Sequence, residues 1–99
     1  MSGDAYAGES RPAVIIQDDR FDATVSVTAC AFTTDAAEAH LFRLPVTPNE
    51  RNGLRSESIL LVDEFTTVSK EKLGKRIGRL GDEGVVRLTR AIPLFLGLA

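Results

Sequence analysis

Short apolar runs rich in β-branched residues recur along this chain, and the links between them are too short to hold a crossover helix. The predicted strands are 12–17, 24–32, 41–46, 59–62 and 75–80. Asn52-Gly53 marks a turn inside the loop 47–56. Strands joined in this way pair antiparallel, so the chain is restricted to a small, strongly curved sheet or a partial barrel.

The segment that follows the last predicted strand has the apolar periodicity of a helix and not that of a strand. Asp82 is its predicted N-cap, and Pro93 predicts a kink or an early stop because proline cannot donate the intrahelical hydrogen bond. One apolar stripe is formed by Val85, Leu88, Ile92 and Phe95. We therefore expect the helix to pack on the sheet along this stripe, which gives a mainly β fold with a C-terminal helix.

Length and composition indicate a protein of one domain without a membrane span. The chain has 99 residues, 43% hydrophobic and 26% charged, which is enough for one domain. It has no run of about eighteen apolar residues and no charged-then-apolar N-terminus, so we expect a cytoplasmic protein with no membrane span and no secretory signal. The polar residues 1–10 are expected to be a flexible or degenerate segment ahead of a single domain over 11–99.

The reactive side chains exclude several kinds of enzyme. His40 is the only histidine and Cys30 the only cysteine, which leaves no internal disulfide, no cysteine-based zinc site and no histidine pair for acid–base catalysis. Cys30 lies within a predicted strand without a basic neighbour, so we interpret it as a buried structural thiol. No glycine-rich phosphate loop is present. The sequence therefore predicts chemistry without a metal or a cofactor.

The formal net charge of −2 conceals an asymmetry. Residues 1–50 carry three basic and eight acidic side chains, whereas 51–99 carry nine basic and six acidic ones. Five of the basic residues are clustered, at Lys70, Lys72, Lys75, Arg76 and Arg79. This basic group is typical of a solvated face and also suits contact with an anionic substrate, and Arg20 and Arg55 are further candidates in loops.

Arg11 and Thr33 flank the first two predicted strands. Arg11 precedes one strand, and Thr33-Thr34 follow the other, so antiparallel pairing would bring a guanidinium beside two hydroxyls. The planar guanidinium fork suits a phosphate, and such a pair could stabilise the transition state of RNA cleavage in which the RNA supplies its own 2′-hydroxyl nucleophile. Taken separately, these residues are more often a solvated strand flank and a turn.

Several motifs follow one another in unbroken order from about residue 7 to residue 99. Residues 11–17 read RPAVIIQ, 31–34 read AFTT, 53–56 read GLRS, 59–63 read ILLVD and 76–80 read RIGRL. Together they resemble the MazF/PemK-type toxins, whose corresponding segments read R-P-[AV]-[VL]-[IV]-[IV], P-x-T-[TS], G-L-x-x-x-S-x-[VL]-x-[VL]-D and [RP]-[IV]-G-x-[LV].

The resemblance implies an SH3-like β-barrel of the Kid/MazF/CcdB type with a C-terminal helix, assembled as a homodimer. It implies the toxin of a type II toxin–antitoxin system: a metal-independent, sequence-specific endoribonuclease that cuts single-stranded RNA to 2′,3′-cyclic phosphate and 5′-hydroxyl ends, and that a MazE-like antitoxin neutralises. The catalytic arginine and threonine fall on Arg11 and Thr33. The substrate-binding candidates are Thr34, Arg20, Lys75, Arg76 and Arg79.

The N-terminus departs from the family pattern, which places a strand with an R-G-D-[IV]-[WY] motif and a mobile loop before the Arg-Pro pair. Here only ten residues precede Arg11. Either Gly3-Asp4-Ala5-Tyr6 is a remnant of that strand with a shortened loop, or the first strand is absent. Since gyrase-poisoning toxins share the fold, the alternative function is a non-catalytic binding protein of that type or an inactive truncated remnant.

Overall fold

Six antiparallel strands form one curled sheet against which a single helix packs, in a computed structural model that describes residues 1–8, 11–17, 20, 23–35, 37 and 43–98. The strands are β1 (Asp4–Tyr6), β2 (Ala13–Ile15), β3 (Ser26–Thr33), β4 (Arg43–Val46), β5 (Ser58–Ser69) and β6 (Arg76–Arg79). A 3₁₀ turn at Lys70–Lys72 follows β5, and helix α1 spans Asp82–Leu96. The strand order β4-β5-β3-β2-β1-β6 confirms the predicted mainly β class with a C-terminal helix.

The N-terminal segment contributes a strand to this sheet. Ala5 in β1 pairs with Val14 of β2 on one side and Gly78 of β6 on the other, and its side chain is 1% exposed. The segment expected to be flexible or degenerate thus contains a strand at Asp4–Tyr6, and the alternative in which the first strand is absent is wrong. Three residues are too few to show a strand periodicity, so only pairing with two neighbours defines this strand.

Strand β5 is much longer than predicted. The apolar run ends at Val62, but the strand continues through polar, partly exposed residues to Ser69. Its second half pairs with β3, from Phe65 opposite Cys30 to Ser69 opposite Ser26. This cross-strand pairing overrides the weak local signal of the polar residues. Of the predicted third strand, residues 41 and 42 lie outside the described residues.

The core lies between the sheet and α1. Its fully buried members are Ala5, Val14, Cys30, Phe32, Leu60, Val62, Leu80 and Leu88. Leu88 is the buried residue of the predicted helical stripe, and Phe95 packs edge-on against Phe65 with ring centroids 5.8 Å apart. No helix among the described residues is long and apolar enough to cross a membrane.

Both ends of α1 differ from the sequence prediction. The N-cap is Gly81, and Asp82 is the first helical residue, where its negative charge favours the helix N-terminus. The helix continues through Pro93, so the predicted early stop is wrong. Pro93 lies within the last turn, and that turn is closed by Gly97, whose left-handed φ of 76° suits glycine.

The loop between β4 and β5 covers the outer edge of β6. The Arg79 N–H donates to the Arg51 carbonyl over 2.8 Å. Gly53 adopts a φ of +68°, and a Cβ there would collide with the Ile77 carbonyl oxygen of β6. The loop thus brings residues 53–58 beside the link between β1 and β2.

Asn52, which is 1% exposed, holds this loop together. Its Oδ1 accepts the backbone N–H groups of Asn49 and Leu54 over 3.1 and 3.0 Å, and its Nδ2 donates to the Thr47 carbonyl over 2.9 Å. One side chain therefore satisfies three backbone groups. The predicted Asn52-Gly53 turn is confirmed.

We expect Asn52→Ala to lower the free energy of unfolding by about 2–4 kcal/mol, because it leaves the buried Leu54 N–H and its neighbours without partners. Asn49→Ala, which removes the bond from the Asn52 N–H to the Asn49 Oδ1, should cost about 1 kcal/mol. Urea denaturation at matched protein concentration measures both losses. Equal losses would show that Asn52 is not the residue on which the loop depends.

Candidate active site

The pairing of β2 with β3 places Arg11 beside Thr33. Ala13 pairs with Ala31, and the Phe32 N–H donates to the Pro12 carbonyl over 2.9 Å. One residue further along this antiparallel register, Arg11 lies opposite Thr33, and the two line the same cavity. The convergence expected from the sequence is therefore present in the fold.

The Thr33 side chain is held in one orientation. It is 6% exposed, and its Oγ1 accepts the Asp35 N–H over 3.0 Å. No residue that the structure describes accepts the Thr33 hydroxyl proton. A fixed hydroxyl with a proton to donate is suited to an anionic oxygen atom in the cavity.

The corner cavity, as we name the cavity at the start of β2 and the end of β3, has a volume of about 330 Å³. Besides Arg11 and Thr33, it is lined by Thr34, Asp35 and Ser58. Ser58 is buried, and its Oγ donates to the Ser56 carbonyl over 2.9 Å. Sequence reasoning treated Asp35 as a turn residue and passed over Ser58, although Ser58 occupies the serine of the G-L-x-x-x-S pattern.

Part of the predicted basic group is already paired with carboxylates. Arg76 Nη2 lies 3.0 Å from Asp4 Oδ1, and Arg79 Nη1 lies 3.4 Å from Asp82 Oδ1. Neither arginine lines the corner cavity. Lys75 and Arg20 are exposed, and none of these four substrate-binding candidates lines a cavity described here that contains Arg11.

Two other cations do lie in cavities that contain Arg11. The loop cavity, about 360 Å³, is lined by Arg11, Thr34 and Arg55, and the sheet cavity, about 410 Å³, by Arg11 and Lys72. Arg55 is in the loop that covers β6, and Lys72 is in the 3₁₀ turn. Only their positions in the fold distinguish them from the other basic residues.

Cys30 is a structural thiol, as the sequence predicted. It is 0% exposed, and its Sγ lies 3.9 Å from the Val62 carbonyl oxygen. Burial, together with the negative charge of Asp63, raises the pKa of the Cys30 thiol to about 12. His40 lies outside the described residues, and within these residues no three His, Cys, Asp or Glu side chains are grouped to hold a metal.

Fold and site together define a small curled-sheet protein with an arginine–threonine pair suited to an oxyanion. Residues 2–96 match the family described as the PemK-like, MazF-like toxin of type II toxin–antitoxin systems. A probable endoribonuclease MazF of Mycolicibacterium smegmatis is 48% identical over 95 residues, which cover 96% of this chain and 87% of that protein. The chain belongs to the PemK-like, MazF-like toxin family.

A second relative and two solved structures are also similar to this chain. The endoribonuclease EndoA of Bacillus subtilis is 30% identical over 94 residues, covering 92% of this chain and 79% of that protein. The toxin MazF-mt6 of Mycobacterium tuberculosis superposes with a TM-score of 0.79 at 24% identity, covering 98% of both chains. An endoribonuclease in complex with its cognate antitoxin, from a mycobacterial species, gives 0.80 at 21% identity, covering 100% of this chain and 96% of that one. These structures confirm the fold.

We expect Cys30 to resist alkylation in the folded protein. A pKa of about 12, against an ordinary value of 9.0, leaves about 10³-fold less thiolate near pH 8, and burial excludes the reagent as well. Iodoacetamide labelling followed by mass spectrometry should give almost no adduct in buffer and rapid modification in guanidinium chloride. Rapid labelling of the folded chain would contradict the buried position.

The raised pKa of the Cys30 thiol also determines how the stability of the folded state depends on pH. The folded state holds the Cys30 proton more tightly than the unfolded state, so the thiol's contribution to stability is complete below the unfolded pKa of 9.0. It is lost as the pH rises from 9.0 towards 12.

Proposed function

We propose that this chain is the toxin of a type II toxin–antitoxin system and acts as an endoribonuclease that cleaves single-stranded RNA without a metal. The observation that carries the proposal is the placement of Arg11 opposite Thr33 in the corner cavity. Family membership and relatives named endoribonucleases support it over a non-catalytic binding protein.

In this reaction the RNA supplies the nucleophile. The 2′ oxygen attacks the adjacent phosphorus, the bond to the 5′ oxygen breaks, and one proton leaves the 2′ oxygen while another is added to the 5′ oxygen. The products are a 2′,3′-cyclic phosphate and a 5′-hydroxyl. Negative charge builds up on the phosphoryl oxygens in the transition state, so the protein's task is to place donors around them.

Arg11 and Thr33 provide such donors from two directions. The guanidinium carries a permanent charge and a planar set of N–H groups that matches two phosphoryl oxygens. The Thr33 hydroxyl is already oriented by the Asp35 N–H, so it needs little reorganisation to donate to one of these two oxygens. We assign Arg11 and Thr33 as catalytic and Thr34, on the rim of the same cavity, as substrate-binding.

The assembly and its partners belong to the same proposal. We infer a cytoplasmic homodimer that a MazE-like antitoxin neutralises. A solved relative was captured with its cognate antitoxin, which supports a protein partner of this kind. The short chain also buries limited apolar surface by itself, and dimerisation would increase that burial.

The test is cleavage of a long single-stranded RNA of mixed sequence in the presence of EDTA. We expect the wild type to cut it and Arg11→Ala and Thr33→Ala each to lower kcat by at least about 10²-fold, because each donor acts on the transition state. Direct phosphorylation of the product 5′ ends by polynucleotide kinase, without a phosphatase step, identifies the 5′-hydroxyl.

Matched controls come from α1. Arg90 and Thr89 are exposed on the helix, away from all three cavities that contain Arg11. Arg90→Ala and Thr89→Ala should leave kcat unchanged. If all five proteins cleave at the same rate, the site assignment is wrong, and if the wild type is toxic to cells without cleaving RNA, the non-catalytic alternative holds.

A further inference from the structure

Arg11 is the junction of three cavities. It lines the corner cavity with Thr33, the loop cavity with Arg55 and the sheet cavity with Lys72. Gly8 lines both the loop cavity and the sheet cavity, so at this shared position the wall carries no side chain. The three cavities adjoin at Arg11, and we call them together the Arg11 groove.

Two of the three cavities contain a second cation. Arg55 and Lys72 are exposed, and neither side chain forms an ion pair with another residue that the structure describes. Arg76 and Arg79, by contrast, already contact carboxylates. Two positive charges are therefore available in two different cavities that share Arg11, in a chain whose net charge is −2.

Hydrogen bonds hold the segments that carry Lys72 and Arg55 in the fold. The Ala7 N–H donates to the Lys75 carbonyl over 2.9 Å, and the Gly74 N–H donates to the Ala7 carbonyl over 2.6 Å. These bonds tie Ala7, the residue after β1, to the segment that carries Lys72. On the other side, the bond from Arg79 to Arg51 and the Asn52 hydrogen bonds hold the loop of Arg55 against β6.

The sheet cavity also has room for part of a nucleotide. Its floor is formed by Ala13, Ala29 and Ala31, whose small side chains leave a volume of about 410 Å³. That volume lies in the range of about 300–1,000 Å³ that small-molecule sites occupy. Thr66, Thr67 and Ser69 add hydroxyl groups along its β5 wall.

From this arrangement we propose that Arg55 and Lys72 bind RNA phosphates on either side of the phosphate held by Arg11, so that the substrate strand runs along the Arg11 groove through all three cavities. This inference rests on the proposed function, because it takes the corner cavity as the place of the scissile phosphate. Arg55 and Lys72 are substrate-binding residues and take no part in the bond-breaking step.

The test separates binding from cleavage. A fluorescent pool of mixed-sequence RNA of about 20 nucleotides, methylated at every 2′ oxygen, cannot be cut because its nucleophile is blocked, and it spans the site sizes usual for single-strand binders. Anisotropy titrations at several KCl concentrations give the slope of log Kd against log salt. Each lost phosphate contact reduces that slope by about 0.7 for a single strand.

We expect Arg55→Ala and Lys72→Ala each to reduce the slope by about 0.7, and the double variant by about 1.4. One contact then corresponds to about a 2.6-fold smaller change in Kd between 50 and 200 mM salt. Lys72→Arg should keep the wild-type slope, because it keeps the charge. On cleavable RNA, the two alanine variants should raise KM and leave kcat near the wild-type value.

Two controls remove one positive charge each without touching the groove. Arg51 lies in the same loop as Arg55 but does not line the Arg11 groove, and Arg90 lies on α1. Arg51→Ala and Arg90→Ala should keep the wild-type slope. Equal slope changes in all four single variants would overturn the assignment and leave only a diffuse charge effect.

Failure of the inference and failure of the proposed function give different results. A wild type that cleaves RNA while Arg55→Ala and Lys72→Ala keep their slopes overturns the groove assignment alone. If Arg55→Ala and Lys72→Ala reduce the slope as expected but the wild type never cleaves RNA, the groove assignment is supported and the nuclease activity is refuted. A wild type that binds no RNA at any salt concentration refutes both.

Discussion

The Phe32 N–H donates to the Pro12 carbonyl, and this one bond extends the pairing of β2 with β3 to the residues that carry the chemistry. Without it, Arg11 would be an arginine on a surface link and Thr33 the last residue of a strand. With it, the two line one cavity, whose other walls come from the residues after β3 and from Ser58 at the start of β5. The remaining elements hold that pair of strands from both sides: β5 pairs with β3, and β1 pairs with β2.

Much of this could be predicted from the sequence, for identifiable reasons. β2 and β3 are apolar and β-branched, so their existence and their antiparallel pairing follow from local signals, and with them the meeting of Arg11 and Thr33. The polar end of β5 and the three residues of β1 carry no such signal, because pairing with distant strands defines them. The loop turn was predictable because Asn52-Gly53 has a recognisable turn chemistry.

The charged residues show the limit of sequence reasoning most clearly. Lys72, Lys75, Arg76 and Arg79 look alike in a list of basic residues, yet the fold gives them different surroundings. Arg76 lies next to Asp4, a residue distant in sequence that β1 brings to the edge of β6. Whether a cation is paired depends on which acid the topology places beside it, and no spacing along the chain encodes that.

The position of β1 between β2 and β6 also affects how the chain is made. Its partners are β2, which follows it closely, and β6, whose Arg79 pairs with Asp4 across almost the whole length of the chain. Synthesis proceeds from the N-terminus, so β1 leaves the ribosome long before its second partner exists. The sheet can be completed only when β6 has been made, and contacts between residues so distant in sequence form slowly. For a protein that would act on RNA, this order delays the finished groove until the nascent chain is almost complete.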